Sequence, residues 1–159
     1  MTTEEAQEEQ AGSTKATLTE DRFAAPDLAL QYMAGFADRA RAGVPIKLVL
    51  SGSIISGIVC GGEEFFEWAA ERHRSAQDTL DPEMTELSEW FAKTFFDAPA
   101  TEYRERRESL DENSEPDDTK NCYIHLRDAV VVNGPHVTQL GFTRVLLSQV
   151  AAWTIGRIS

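Results

Sequence analysis

Apolar residues that recur three to four positions apart predict three helices. Pro26 and Asp27 suit the first turn of the first helix, and Gly43 follows its end. The predicted helices cover 25–42, 63–75 and a segment that opens at Asp81-Pro82. A charged stretch follows over 101–111 and has only a weak apolar face, formed by Tyr103, Arg107 and Leu110.

Alternation of apolar and polar residues predicts strands in two parts of the chain. The predicted strands cover a hairpin at 45–60, then 122–132, 142–147 and 153–158. Gly52-Ser53 is the turn of the hairpin, and Gly57 inside its second strand indicates a bulge or a sharp bend. Residues 148–150 form either a tight turn between the last two strands or part of one continuous bent strand.

The order of these elements predicts an α+β fold with an antiparallel sheet of about five strands. An N-terminal helix precedes the first two strands, and a helical insertion at 61–119, with an acidic loop, separates them from the other three. Five short strands with a glycine in the second predict closure into a small β-barrel. We expect one domain over 23–159, preceded by a disordered acidic tail at 1–22 that is rich in Glu, Gln, Thr and Ser.

The net charge of the chain favours some classes of partner over others. The chain has 159 residues and a formal net charge of −12 at pH 7. Phosphate backbones and anionic membrane surfaces attract clustered Lys and Arg, so nucleic acid is an unlikely partner and no membrane association is expected. No apolar run reaches the roughly 18 residues of a membrane helix, and the acidic N-terminus is unlike a signal peptide. These features predict a cytoplasmic protein whose counterpart is a basic or amphipathic protein surface.

Motifs of catalysis and cofactor binding are missing from the sequence. It contains no Gly-rich phosphate loop, no HExxH, no CxxC and no nucleophile elbow. The sequence therefore predicts no enzyme activity, no catalytic residues, no cofactor and no metal site. His125 lies in a predicted strand and is interpreted as a surface or groove histidine, with a general base as the alternative.

The densest carboxylates and the two cysteines have structural interpretations. The carboxylates are expected to be solvated at a helix start or in a loop: Glu63, Glu64, Glu67, Asp117 and Asp118. Cys60 and Cys122 lie in apolar, strand-like runs, so we expect both to be buried, inert thiols.

The aromatic residues supply a candidate binding surface. Trp68, Trp90 and Trp153 belong either to the core or to an interaction surface. The candidate partner-binding residues lie in the insertion and are Trp90, Phe91, Phe95 and Phe96. The alternative is that these four side chains are core.

Two parts of the chain resemble the U-type gas vesicle accessory proteins (GvpU). One is the strand pair at 46–59 (IKLVLSGSIISGIV), followed by the helix start at 64–67 (EFFE). The other is the strand at 123–129 (YIHLRDA) with the closing segment at 144–158 (RVLLSQVAAWTIGRI). The helix at 28–36 also fits the opening helix of that family.

The resemblance implies a non-catalytic protein linked to gas vesicle assembly or clustering. Its expected partners are the vesicle shell or other gas vesicle proteins, its expected location includes the vesicle surface, and it is expected to form a homo-oligomer. The acidic tail and the insertion are longer than the family pattern. The chain ends at Ser159 without the family's basic tail, which leaves vesicle clustering open.

The strands are also similar to an Sm-like small barrel. The similarity rests on the glycine in strand two and on Leu126-Arg-Asp-Ala129, and it implies the fold alone. It raises an alternative function, an Sm-like RNA-binding or protein-interaction module with a basic patch at Arg127, Arg144 and Arg157. A small enzyme is a third alternative, which predicts a concave pocket with converging polar groups.

Overall fold

A computed structural model describes residues 25–77, 81–110, 113 and 115–158. The elements are α1 (Leu28–Ala40), β1 (Pro45–Leu50), β2 (Ser53–Cys60), α2 (Gly62–Ser75), α3 (Pro82–Ala92), a π-helical segment (Lys93–Asp97), α4 (Ala98–Ser109), β3 (Tyr123–Asn133), β4 (His136–Leu146) and β5 (Ala152–Ile155). Short 3₁₀ turns lie at Asp118–Lys120 and Leu147–Gln149. The predicted acidic tail at 1–22 lies outside the described residues.

The five strands form one antiparallel sheet in the order β4-β3-β2-β1-β5. This confirms the α+β fold and the five antiparallel strands. The predicted closure into a barrel is wrong, because the sheet is open and β4 and β5 lie at opposite edges. The four-residue β5 pairs only with β1, and helices cover surface that closure would otherwise bury.

The predicted strand boundaries agree with the structure in the β1–β2 hairpin and differ from it in β4. Gly52 has φ of 80° in the first hairpin turn, and the β2–β3 register shifts between Ser56 and Ile58, which confirms the predicted bulge at Gly57. β4 begins at His136, six residues before the predicted strand at 142–147. The 3₁₀ turn at Leu147–Gln149 separates β4 from β5, so the two are not one bent strand.

The core lies between α1 and the sheet. Leu30, Ala34 and Ala37 of α1 are at most 4% exposed and pack against strand residues. The strand and turn residues of this cluster are Ile46, Leu48, Val59, Ile124, Leu126, Ala129, Val145 and Leu147. Full burial of a large aliphatic side chain stabilises a fold by about 1.5–3 kcal/mol, so this cluster fixes α1 on the sheet.

A second helical layer follows the hairpin. α3, the π-helical segment and α4 run consecutively from Pro82 to Ser109 and pack against α2. Asp81 caps α3 by accepting a hydrogen bond from the N–H of Met84 at 2.9 Å. In the π turn the N–H of Ala98 donates to the carbonyl of Lys93, five residues back. Pro99 comes next and lacks an N–H, so the wider turn accommodates a residue that would break a regular α-helix.

Candidate protein-binding surface

Five large apolar side chains form an exposed patch on α3 and the π-helical segment. The aromatic patch consists of Met84, Leu87, Trp90, Phe91 and Phe95, each 40–57% exposed. Four of them are spaced three or four residues apart and share one helix face, with Trp90 at its border. An amphipathic helix normally turns such a face toward the core, so its exposure marks a candidate interaction surface.

The rings of the aromatic patch pack against one another. The centroids of Phe91 and Phe95 are 4.6 Å apart, and Trp90 meets Phe95 edge-on at 6.1 Å. Phe96 meets Phe91 edge-on at 5.7 Å. Edge-to-face and tilted pairs stabilise aromatic clusters by about 0.5–1.5 kcal/mol each, so the patch is a preformed surface.

Side chains of α2 hold the patch in place from behind. The imidazole of His73 lies 5.3 Å from the Phe91 ring and 5.7 Å from the Phe96 ring. Its Nε2 atom is 2.8 Å from the hydroxyl of Ser88 on α3. Arg74 donates to Glu89 on α3 at 2.9 Å and also to the π-helical segment. These contacts fix the orientation of the aromatic patch relative to α2.

Carboxylates line the flank of α3 beside the patch. A shallow groove of about 640 Å³ follows this flank and is lined by Pro82, Glu83, Thr85, Glu86 and Glu89. Arg74 at 2.9 Å and Lys93 at 3.9 Å offset the charge of Glu89, which leaves the charges of Glu83 and Glu86 on this flank. The arrangement suits a partner that brings apolar side chains flanked by basic residues.

The candidate binding residues occupy two environments. Trp90, Phe91 and Phe95 are exposed, whereas Phe96 is half-buried behind them. The candidate residues named from the sequence did not include Met84 and Leu87, although their spacing from Phe91 carries the same helical signal. The other two tryptophans are half-buried, and the Trp68 ring stacks on Phe142 with centroids 5.0 Å apart.

His125 is not the surface or groove histidine that the strand pattern suggested. It is 2% exposed and lies 5.0 Å from the Phe65 ring and 5.9 Å from the Tyr103 ring. Burial, together with the positive charge of Arg144, lowers the pKa of His125 to about 3. The expectation failed because α2 covers the face of β3 opposite the core.

Two of the carboxylates expected to be solvated are buried. Glu63 is 4% exposed and accepts hydrogen bonds from Arg104 and Arg107, both at 2.9 Å. Asp118 is 6% exposed and accepts from Arg39 at 2.7 Å. Both corrections have the same cause, since arginines distant in the sequence come to these carboxylates only when the helices pack.

The two cysteines also differ from each other. Cys60 is buried, and burial raises the pKa of its thiol to about 12, so it is an inert thiol as predicted. The prediction of a buried Cys122 is wrong, because Cys122 is exposed one residue before β3 begins.

A cavity of about 200 Å³ lies between α1, α4 and the loop before β3. Its lining residues are Gly35, Asp38, Arg39, Tyr103, Arg106, Arg107, Leu110, Pro116, Asp117, Asp118 and Asn121. Asp38 accepts a hydrogen bond from the N–H of Gly62 at 2.7 Å, and burial raises its pKa to about 6. Arg106 lies over the Tyr103 ring at 5.4 Å. This lining contains no Ser, Cys, Lys or His, but it includes the carboxylates of Asp38, Asp117 and Asp118, so it is a concave pocket with converging polar groups of the kind that the small-enzyme alternative predicts.

The three arginines of the RNA-binding alternative are engaged within the protein. Arg127 pairs with Glu64 at 2.9 Å, and Arg157 pairs with Asp128 at 3.1 Å. The guanidinium of Arg144 lies 3.7 Å from the centre of the Tyr123 ring. Two of the three charges are therefore paired with carboxylates rather than presented together to a phosphate backbone.

Among residues 25–77, 81–110, 113 and 115–158, no group of three or more His, Cys, Asp or Glu side chains is placed to hold a metal ion. Within the same residues, no helix has both the length and the apolar character to span a membrane.

Comparison with models of known protein families identifies the family of the chain. A family model described as "Gas vesicle protein GvpU-like" matches residues 27–158, from the cap of α1 to the residues after β5. No curated protein and no solved structure matches the chain.

Proposed function

Because the chain belongs to the GvpU-like family of gas vesicle proteins, we propose that it is a non-catalytic accessory protein in vesicle assembly or clustering. Its partner is the vesicle shell or another gas vesicle protein, and its place is the cytoplasm and the vesicle surface. The observation that carries the proposal is the aromatic patch, defined above by Met84, Leu87, Trp90, Phe91 and Phe95.

The composition of the patch fits protein binding better than nucleic-acid binding. Trp, Phe and Met are enriched in the centres of protein interfaces, where a few desolvated aromatic anchors supply most of the binding energy. The groove beside the patch is lined by Glu83, Glu86 and Glu89. Arg74 and Lys93 offset the charge of Glu89, and the charges of Glu83 and Glu86 repel phosphates.

The same charges define the chemistry of the partner. An apolar surface next to carboxylates matches a helix or an extended segment that carries apolar residues on one side and Lys or Arg beside them. The net charge of −12 favours a basic partner over a second acidic one at this site. We propose that Phe96 supports the patch from behind and that Trp90, Phe91 and Phe95 make the contacts.

The helical insertion at 61–119 is then the partner-binding part of a single α+β domain over 23–159. α2 connects it to the sheet, because its first half lies against β3 and its last turn holds α3 through Arg74. The sheet positions the insertion, and the insertion makes the contact.

Flotation with intact gas vesicles tests this function directly, since vesicles rise in solution and carry bound protein with them. The purified chain is mixed with vesicles at low and at high salt, and the floating layer is analysed. We compare the wild type with the double variant Trp90→Ala/Phe95→Ala. The control is Phe36→Ala, which removes an aromatic side chain that is 53% exposed on α1, a helix outside the insertion at 61–119.

We expect the wild type and Phe36→Ala to float with the vesicles and the double variant to remain below. Loss of an anchor of this kind weakens binding by about 2 kcal/mol or more, which is roughly thirtyfold in Kd. Weaker flotation at high salt would support the contribution of the acidic flank. If the wild type stays in the lower phase at both salts, or if the double variant floats like the control, the proposal is wrong.

A further inference from the structure

The outer edge of β4 presents unpaired backbone groups. β4 is an eleven-residue strand at the edge of the sheet, and among the described residues only β3 pairs with it. Asn133 and His136 close a two-residue hairpin in which Gly134 has φ of 56°. The closing pair of such a hairpin exchanges hydrogen bonds, and the following pairs alternate. The N–H and C=O groups of Val137 and Gln139 therefore point away from β3.

Half of this edge lacks the features that usually prevent strand pairing. Exposed edges are commonly blocked by charged residues, prolines or bulges. Residues 129–143 contain no Asp, Glu, Lys or Arg, although charged residues make up 26% of the chain. A register shift at Gly141, with φ of 73°, interrupts the ladder, and Trp68 stacks on Phe142 beyond it. The open edge is therefore 136–140.

The charge of the protein indicates what can pair there. Two copies that each carry a net charge of −12 repel one another over most of their surfaces, and the repulsion is smallest where the surface is neutral. The segment 136–140 is neutral and exposed along almost its whole length. An antiparallel strand pair with two-fold symmetry also places identical strands against each other, so this edge is complementary to itself.

We propose that two copies of the chain associate through their β4 edges, antiparallel, with Thr138 opposite Thr138 of the second copy. In this register Val137 of each copy faces Gln139 of the other. Because both residues point their backbone groups outward, the pairing forms about four hydrogen bonds. The two open five-stranded sheets become one continuous sheet. This inference rests on the sheet alone and is independent of the proposed vesicle function.

A row of apolar residues across the sheet also favours pairing at the β4 edge. Val49, Ile54, Val132 and Val137 lie opposite one another on four consecutive strands. The row ends at the edge in Val137, which is 61% exposed. In the proposed register the two Val137 side chains are diagonal neighbours on one face, so pairing covers the most exposed member of each row.

Cysteine trapping tests the register. Two cysteine variants, Thr138→Cys and His136→Cys, are made in a Cys122→Ser background. The Cys122→Ser change removes the exposed native thiol, and Cys60 is buried. Thr138→Cys places the thiols of two copies in a non-hydrogen-bonded pair, at a distance a disulfide can span. His136→Cys is the matched control, because its thiols are offset by four residues, which is about 14 Å along the strand.

Under mild oxidation we expect a covalent dimer from Thr138→Cys and little from His136→Cys. Equal trapping at both positions, or trapping at neither, would overturn the proposal. Sedimentation of the unmodified chain gives a second readout, with a mass that rises from 17.7 kDa to twice that value as concentration increases.

A backbone variant distinguishes edge pairing from other kinds of association. Gln139→Pro removes an outward N–H and leaves the β3–β4 ladder intact, whereas Gln139→Ala keeps the N–H. We expect Gln139→Ala to dimerise like the wild type and Gln139→Pro to dimerise roughly thirtyfold more weakly. Circular dichroism establishes that both are folded. Monomeric wild type at every concentration, or equal dimerisation of folded Gln139→Pro, would show that the β4 edge is not the contact.

Discussion

The guanidinium of Arg74 donates a hydrogen bond to the carboxylate of Asp97 across 2.6 Å and so joins α2 to the π-helical segment. The same guanidinium donates to Glu89 on α3. Arg74 therefore connects α2 both to α3 and to the π-helical segment, the two elements that carry the aromatic patch. Phe91 and Phe95 lie between the two carboxylates in the sequence, so their orientation depends on this link.

Arg74→Gln is expected to loosen the π-helical segment more than it destabilises the fold. Arg74 and its two partners, Glu89 and Asp97, are each more than a third exposed, so the loss in unfolding free energy is expected to be below about 1 kcal/mol. Amide hydrogen exchange should accelerate over 93–97 and stay unchanged in β1 and β2. Arg72→Gln, an exposed arginine on the same helix, is the control. Equal exchange in the two variants would mean that Arg74 does not hold the segment.

Glu63 provides a test of a buried ion cluster. Glu63→Gln leaves Arg104 and Arg107 without their common carboxylate. Both guanidinium groups are partly exposed and stay solvated, so we expect a loss of about 1–3 kcal/mol, which is typical of lost charge-assisted hydrogen bonds. Urea denaturation measures the difference. Glu67→Gln is the control, since Glu67 is 43% exposed and should cost below about 1 kcal/mol.

The effect of Glu63→Gln on the unfolding free energy should also depend on pH below about pH 4.5. Burial raises the pKa of Glu63, but hydrogen bonds from Arg104 and Arg107 outweigh burial and hold the pKa below its ordinary 4.5. A lowered folded pKa means that the stabilisation is present above pH 4.5 and is lost as the pH falls through the folded value. The difference between wild type and Glu63→Gln should therefore shrink in acid, and a constant difference would contradict this account.

Where the hydrophobic pattern coincided with burial, the sequence sufficed to predict structure. α1, the β1–β2 hairpin and β3 carry apolar residues at the expected spacing, and their apolar faces are the core. The start of β4 was missed because His136 and the residues after it are exposed on an edge strand. Such a strand needs no apolar face and leaves no alternation to detect.

Contacts between residues from distant segments of the chain could not be predicted from the sequence. His125 was placed in a strand correctly, but its burial depends on Phe65 and Tyr103, which lie in two different helices. The aromatic residues of the candidate surface were identified from their chemistry. Their exposure follows from how α3 packs on α2, which the pattern of α3 alone does not specify.

Gly35 tests a close contact between α1 and the loop before β3. An added Cβ at this position would overlap the carboxylate of Asp118, which also binds Arg39. Alanine favours a helix over glycine by about 1 kcal/mol, so helix propensity alone predicts stabilisation by Gly35→Ala. We expect the overlap to dominate and Gly35→Ala to destabilise the protein by about 1–3 kcal/mol, measured by urea denaturation.

A double-mutant cycle identifies the cause of that loss. In the Asp118→Ala background the overlapping carboxylate is absent, so Gly35→Ala should cost less there, or even stabilise the helix. The interaction energy between the two sites should then be at least about 1 kcal/mol. Additive effects would place the strain elsewhere, and a more stable Gly35→Ala single variant would contradict the contact itself.

Asp38 gives the protein a pH dependence of the opposite sign to that of Glu63. Burial raises its pKa from 3.8 to about 6, and the negative charge of Asp118 adds to this effect. The hydrogen bond from Gly62 and the charge of Arg106 oppose it without cancelling it. The folded protein thus binds this proton more tightly than the unfolded chain. Its contribution to stability is present below about pH 4 and is lost as the pH rises to about 6.

Asp38→Asn removes this titration and retains a side-chain oxygen that can accept from Gly62. We expect wild type and variant to be similarly stable near pH 4, and the variant to be more stable by about 1–3 kcal/mol above pH 6. Urea denaturation across pH 4–8 measures the difference. Asp128→Asn, at a carboxylate that is 68% exposed, should show a difference below about 0.5 kcal/mol throughout. If the wild type and Asp38→Asn instead differ by the same amount at every pH, the buried carboxyl of Asp38 does not titrate in this range.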